Sequence, residues 1–270
     1  MKNGKTLLTK GLLMAVIAMM LTACNGSGSS KSKVQMIVDE TVKELPTQDN
    51  IGEISAIKCE KKMVVFNYNT DAQSFPLAKA KDSGDLIKRT WRMSFFDPDD
   101  KNKSEFLTSL IDEGYGVKVC FDEEGTKVHH EITFSNDELQ TIKKQPLTNT
   151  QQLNIQIELT NAALPKQIDN VTTLVRTELD DTNMVYVFDI DEDKLTIDAM
   201  KSDEATYRSN IERTLANEIA NPLSSTGMFF KQVIRAGKGV KYNYCGKNSG
   251  KSFDVELTNS QLRQMALNVE

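Results

Sequence analysis

Histidine, cysteine and tryptophan are scarce in this chain of 270 residues, which holds two, four and one of them. The two histidines, His129 and His130, are sequence neighbours. In a strand they point to opposite faces, so they cannot grip one metal together. Any Ser-His-Asp or Cys-His site would have to use one of these two. No Cys-x-x-Cys occurs, which argues against a thioredoxin-like redox role. No apolar run reaches ~18 residues, which excludes a polytopic membrane protein. A basic excess is also missing: 33 Lys and Arg stand against 38 Asp and Glu. No Lys/Arg stripe carries interleaved aromatics, so nucleic acid is excluded as a partner.

What is present reads as a soluble globular chain, with 39% apolar and 26% charged residues. Its length suits one large domain or two of about 120 residues.

The N-terminus carries the sharpest motif. Lys2, Lys5 and Lys10 precede an apolar stretch from Gly11 to Leu21. As a helix that stretch rises only ~16 Å, too short for ~30 Å of hydrocarbon. It ends in Leu21-Thr22-Ala23-Cys24. This resembles the lipobox of bacterial lipoproteins. The resemblance implies removal of residues 1–23, a diacylglyceryl group on the Cys24 sulfur, and an acylated (palmitate-type) new amine. Two or three acyl chains anchor stably where one would not. Asn25 after the cysteine implies transfer to the outer membrane, facing the periplasm, if the source is Gram-negative. Residues 24–33 are rich in Gly and Ser and read as a flexible tether.

Beyond the tether the chain repeats itself at an offset of about 120 residues. Leu45-Pro46 matches Leu164-Pro165, Val65-Phe66-Asn67 matches Val187-Phe188-Asp189, and Ile87-Lys88-Arg89-Thr90 matches Ile211-Glu212-Arg213-Thr214. Phe106, Leu110, Gly114 and Gly116 match Phe229, Val233, Gly237 and Gly239. A period this long means duplicated domains rather than a solenoid. The expectation is repeat 1 over 34–146 and repeat 2 over 147–270.

Each copy reads as α+β, in the order α-β-β-α-α-β-β-α. Val34, Ile37, Val38, Thr41 and Val42 make a helical stripe that Pro46 ends. In the second copy Leu153, Ile155, Ile157 and Leu159 alternate like a strand. Leu153, Ile157, Thr160 and Leu164 also fit a helix, which the repeat favours. Gly114 and Gly237 stand where helices end on a left-handed residue. Ser135-x-x-Glu138 and Thr258-x-x-Gln261 are capping boxes that open the closing helices. The expected fold is two tandem domains, each a roughly four-stranded antiparallel sheet with helices packed on one face. A Leu-Pro before a turn, an aromatic-rich hairpin and a Gly-x-x-Val strand resemble small periplasmic bacterial domains of uncharacterised role. That resemblance implies no activity.

The candidate chemistry is weak. His130 aligns with core-type Phe253 and His129 with Ser252, so both read as structural. Cys59, Cys120 and Cys245 read as free thiols, with a Cys59–Cys120 bridge the alternative in an oxidising compartment. Gly246-Lys247-Asn248-Ser249-Gly250-Lys251-Ser252 mimics a phosphate-binding loop, but Cys245 replaces its first Gly and a strand follows it. Asp189-x-Asp191-x-Asp193 starts like a calcium loop but has Lys194 and Met200 at positions six and twelve. Asp97-Pro98-Asp99-Asp100 fails similarly; solvated acidic turns fit both. Arg89-Thr90 and Arg213-Thr214 are the polar pair repeated inside a helix. Each Arg suits an anion, or a tie to its own domain through Asp49 or Asp169.

No catalytic set, metal site or cofactor site is read from the sequence. The leading expectation is a membrane-tethered, non-enzymatic binding or scaffolding module of the cell envelope. It would meet the lipid bilayer through acylated Cys24 and an unknown envelope protein or peptide. Alternatives are a hydrolase-type enzyme with carboxylates such as Asp189 and Asp191 between the repeats, and an inhibitor or immunity lipoprotein inserting a loop such as Asp97–Ser104.

Overall fold

The computed structural model describes residues 31–48, 52–70, 77, 85–95, 101–221 and 224–267. Cys24, Asp49 and residues 97–100 therefore lie outside the described residues. The chain divides into two compact units between Leu147 and Thr148.

The first unit begins with α1 (Lys33–Thr41), a 3-10 turn (Val42–Glu44) and the two-residue strand β1 (Thr47–Gln48). A hairpin follows, β2 (Gly52–Glu60) and β3 (Met63–Thr70). Two helices come next, α2 (Leu86–Phe95) and α3 (Lys101–Asp112). A second hairpin, β4 (Gly116–Glu123) and β5 (His129–Phe134), leads into α4 (Asn136–Lys144). Residues 101–104 are thus the first turn of α3 and not part of a protruding loop.

The second unit starts with α5 (Asn149–Ala162), β6 (Lys166–Gln167), β7 (Thr172–Leu179) and β8 (Asn183–Ile190). Three helices follow: α6 (Ile197–Ser202), α7 (Glu204–Ala220) and α8 (Ser225–Arg235). It closes with β9 (Gly239–Gly246), β10 (Ser252–Leu257) and α9 (Asn259–Leu267). The segment 149–162 is a helix. It carries buried Ile155 off the face that holds Leu153 and Ile157, which gives it a strand-like alternation.

Each unit holds a five-stranded sheet, ordered β1-β2-β3-β4-β5 and β10-β9-β8-β7-β6. The sheets are mixed, which corrects the antiparallel four-stranded expectation. β3 and β4 run parallel from Met63↔Gly116 to Thr70↔Glu123, and β8 and β9 from Asn183↔Gly239 to Ile190↔Gly246. The reason is the connection. Parallel neighbours need a crossover of a dozen or more residues, and the helices between them supply it. The fifth strand in each sheet is a two-residue edge, too short to leave a periodic trace in the sequence.

Both first hairpins bulge at the same place, between Ile54 and Ala56 and between Leu174 and Arg176. The extra residue resets the alternation, so Ile54 and Ile57 both reach the core. In the first unit Trp91 from α2 lies against Phe66 and Tyr68, with ring centroids 5.5 and 5.8 Å away. In the second, Tyr186, Phe188, Tyr242 and Tyr244 stack across β8 and β9 at 5.1 to 6.2 Å where they neighbour one another. Leu215 and Ile219 of α7, Phe230 and Val233 of α8, and Leu262 of α9 join that same buried cluster.

Gly114 and Gly237 end α3 and α8 at φ of 72° and 74°. A side chain there would sit in a disfavoured left-handed conformation. Around them Tyr115 N donates to Leu110 O and Gly114 N to Ile111 O. Lys238 N donates to Val233 O and Gly237 N to Ile234 O. These are paired Schellman ends.

Candidate functional site

The polar side chains capable of chemistry gather mainly on the sheet faces opposite the aromatic cores. In the first unit β4 and β5 place Lys118, Cys120, Asp122, His129 and Glu131 together by register. His129 Nδ1 lies 2.8 Å from Asp122 Oδ1, and its Nε2 lies 3.3 Å from Glu131 Oε1. Lys118 Nζ lies 2.7 Å from Glu131 Oε2. The Cys120 thiol donates to Glu131 Oε1 at 3.6 Å.

This set contains a thiol, an imidazole and carboxylates, but its order defeats nucleophilic catalysis. A nucleophilic cysteine needs a depressed pKa and a neighbouring base. Burial and the Glu131 charge push the Cys120 thiol up. Glu131 stands between thiol and imidazole. The Asp122 hydrogen bond, seconded by Glu131, raises the His129 pKa above its ordinary value and favours the imidazolium form. Among the described residues no group of three or more His, Cys, Asp or Glu side chains has metal-binding geometry.

His130 points the other way, opposite Phe121, and is half-buried. Phe253 holds the corresponding place opposite Tyr244. Cys59 and Cys120 cannot bridge, because the bulge at Ser55 puts Cys59 on the core side with Ile57 while Cys120 lies on the other face. All three described cysteines are free. Burial pushes Cys59 up to about 11 and Cys245 upward in the same direction, so these thiols are poor nucleophiles.

The repeated arginines each have a local partner. Arg89 Nε donates to Asp85 Oδ1 at 2.8 Å, and Arg213 donates to Asn210 Oδ1 at 3.0 Å. Asp169 does not reach Arg213. Its Oδ1 accepts from Val171 N and Thr172 N at 2.8 and 2.7 Å and shapes the turn before β7. Thr90 is buried while Thr214 is exposed, so the pair is not equivalent in the two units.

The loop that mimics a phosphate site is filled by the protein's own carboxylate. Glu192 Oε2 accepts from Asn248 N at 2.9 Å and Ser249 N at 2.7 Å, and Glu192 Oε1 from Ser249 Oγ at 2.7 Å. A Cβ on Gly246 would collide with that carboxylate. The first unit solves the same strand end in reverse. Glu123, at the register position of Gly246, is buried, and its carboxylate accepts from Leu77 N and Thr126 Oγ1, each at 3.1 Å. Asp191 is also engaged: Lys194 donates to it at 2.6 Å and holds its carboxyl below the usual range. A general acid requires the opposite shift.

One repeated polar residue was not singled out in the sequence. Asn136 Nδ2 donates to Leu110 O, Ile111 O and Tyr115 O at 2.9 to 3.3 Å. Asn259 Nδ2 donates to Ile234 O and Lys238 O at 3.0 and 2.8 Å. Each amide stitches a Schellman helix end to the start of the closing helix.

No protein-family model matches the chain, and no curated protein matches it in sequence. Among solved structures, a Pseudomonas aeruginosa protein inferred to be secreted aligns with 43% of this chain and 93% of its own. The identity is 8% and the TM-score 0.34, a likeness too slight to carry an argument. No helix among the described residues is long and apolar enough to cross a membrane.

Proposed function

We propose that the protein is a lipid-anchored lipoprotein of the cell envelope. Two copies of one α+β domain, with helices over the same face of each sheet, act in it as a non-enzymatic binding or scaffolding module. The anchor is acylated Cys24, in the motif Leu21-Thr22-Ala23-Cys24. Duplication is supported by the common strand order, the bulges at Ser55 and Val175, and the Asn136 and Asn259 stitches. The observation that carries the binding reading is how the reactive side chains are spent. His129, Cys120, Asp191 and Glu192 are each committed to ion pairs or hydrogen bonds within their own unit. The upward shift of the Cys120 thiol runs against a nucleophile, and the downward shifts of Asp191 and Glu192 run against general acids.

The test is photo-crosslinking in intact envelopes from probes at Lys118 and Asn243, followed by identification of the attached component. The reading expects one saturable envelope partner, lost when Cys24→Ser releases the chain. Turnover of a hydrolysable substrate by the purified chain, abolished by Asp189→Asn or Asp191→Asn, would replace it with the enzyme reading.

A further inference from the structure

Two separate pieces of the first unit converge on Glu113. Lys33 N, at the start of α1, donates to Glu113 Oε1 at 2.7 Å, and Val34 N lies 3.4 Å from both carboxylate oxygens. Lys62, from the β2–β3 turn, donates through Nζ to Glu113 O at 3.1 Å and sits 4.5 Å over the Tyr115 ring. The point where the chain leaves toward Cys24 is therefore also the tip of that hairpin.

This tip carries uncompensated positive charge. Lys31 pairs with Asp39 at 2.8 Å, and the Glu113 carboxylate is occupied by the α1 amides. Lys33, Lys61 and Lys62 are exposed, and no described carboxylate lies within ion-pair distance of them. Several lysines elsewhere in the unit are paired with a carboxylate, Lys58 with Glu60, Lys88 with Glu138 and Lys118 with Glu131, whereas Lys127, Lys143 and Lys144 are exposed without a described one. Lys61 and Lys62 also hold positive φ, 48° and 63°, in a turn where Asn and Gly are preferred. Residues kept in a disfavoured backbone conformation point to a role that the fold alone does not require. The second unit supplies the contrast: its matching β7–β8 turn is Asp180-Asp181-Thr182. One turn of the fold is basic in the unit that follows Cys24 in sequence and acidic in the unit remote from it along the chain.

Resting on the lipid anchor proposed above, we infer that Lys33, Lys61 and Lys62 form a docking surface for the anionic headgroups of the bilayer that holds Cys24. Six residues separate Cys24 from Lys31, so the seven steps between them reach at most ~25 Å and the anchor confines this tip near the headgroups. Lysines attract anionic lipid only within about a Debye length, ~8 Å at physiological salt, and the short tether supplies that proximity.

The test uses the full acylated chain on vesicles of phosphatidylcholine alone and of phosphatidylcholine with one-third phosphatidylglycerol. Flotation reads the anchor and an amine-acylating reagent reads each lysine. The chain should float with both vesicles. Labelling of Lys33, Lys61 and Lys62 should fall roughly tenfold on the anionic vesicles only. Lys143 and Lys144 should be unchanged, and 0.5 M salt should abolish the protection. Lys33→Glu with Lys61→Glu, which spares the Lys62 contacts, should restore Lys62 labelling while Trp91 fluorescence confirms the fold. Equal labelling on both vesicles, with flotation intact, overturns the docking surface and leaves the anchor standing. A chain that floats with neither overturns the anchor and the docking surface with it.

Discussion

Asn136 and Asn259 show how a single side chain sets the geometry of each unit. Each is half-buried and donates to the carbonyl of Tyr115 or Lys238 just past the glycine, and adds a second donor to helix-end carbonyls that the Schellman amides already engage. Removing the amide takes away these hydrogen bonds, at about 1 kcal/mol each. Asn136→Ala and Asn259→Ala should each lower the urea midpoint accordingly. Trp91 is the sole tryptophan and lies in the first unit, so fluorescence should register the first change and not the second. Circular dichroism should register both. These asparagines escaped sequence reading because each sits one residue inside a capping box, where it passes for ordinary first-turn polarity. Only the return of the Schellman turn toward them in space exposes the role. The place of His129 on the polar face of its strand was legible, but the upward shift of its pKa was not, since Asp122 and Glu131 meet it only through register. Its folded pKa is raised. The ion pairs therefore contribute in full below pH 6.5 and their contribution fades as pH rises through the folded value. Surface exposure keeps the effect under about 1 kcal/mol. An imidazole titration should give a value above 6.5 that falls toward it in Glu131→Gln.

At the scale of elements, hairpins, helix caps and the glycine helix ends were written locally and were readable. Capping boxes at Ser135 and Thr258, and left-handed Gly114 and Gly237, depend on neighbours within five residues. The parallel pairing of β3 with β4 was not readable, because it depends on how far two helices carry the chain. The closure of the 246–251 loop lay equally out of sight. Gly246 leaves room for a carboxylate that arrives from Glu192, more than fifty positions earlier. Glu192→Ala should leave the amides of Asn248 and Ser249 without their acceptor and speed their hydrogen exchange, with no change at Thr126 in the first unit. Hydrogen bonds from Ser249 and Asn248 hold the Glu192 carboxyl below its usual range. Its stabilisation is thus present above pH 4.5 and is lost as pH falls through the folded value. Wild-type exchange at Ser249 should accelerate on acidification, after correction for intrinsic rates, and the variant should show no such step.

At the scale of the whole molecule, each unit has its own sheet, its own aromatic core and its own closing helix. Residues 31–147 and 148–270 expressed separately should each give a cooperative melt, as domains of this size bury about two-thirds of their unfolded surface. A sigmoidal transition from neither half would mean that the units depend on one another to fold. The proposal of a module that holds something at a membrane rests on the evenly acidic charge, the engaged carboxylates and the lipobox-like motif. That account stands on Cys24. Its most direct test is the intact mass and N-terminal peptide of the chain recovered from the membrane fraction. The account predicts a chain that begins at Cys24 and carries a diacylglyceryl thioether, and a Cys24→Ser chain that leaves the detergent phase. A membrane-bound chain that keeps residues 1–23, or one that begins at an unmodified residue, would contradict it.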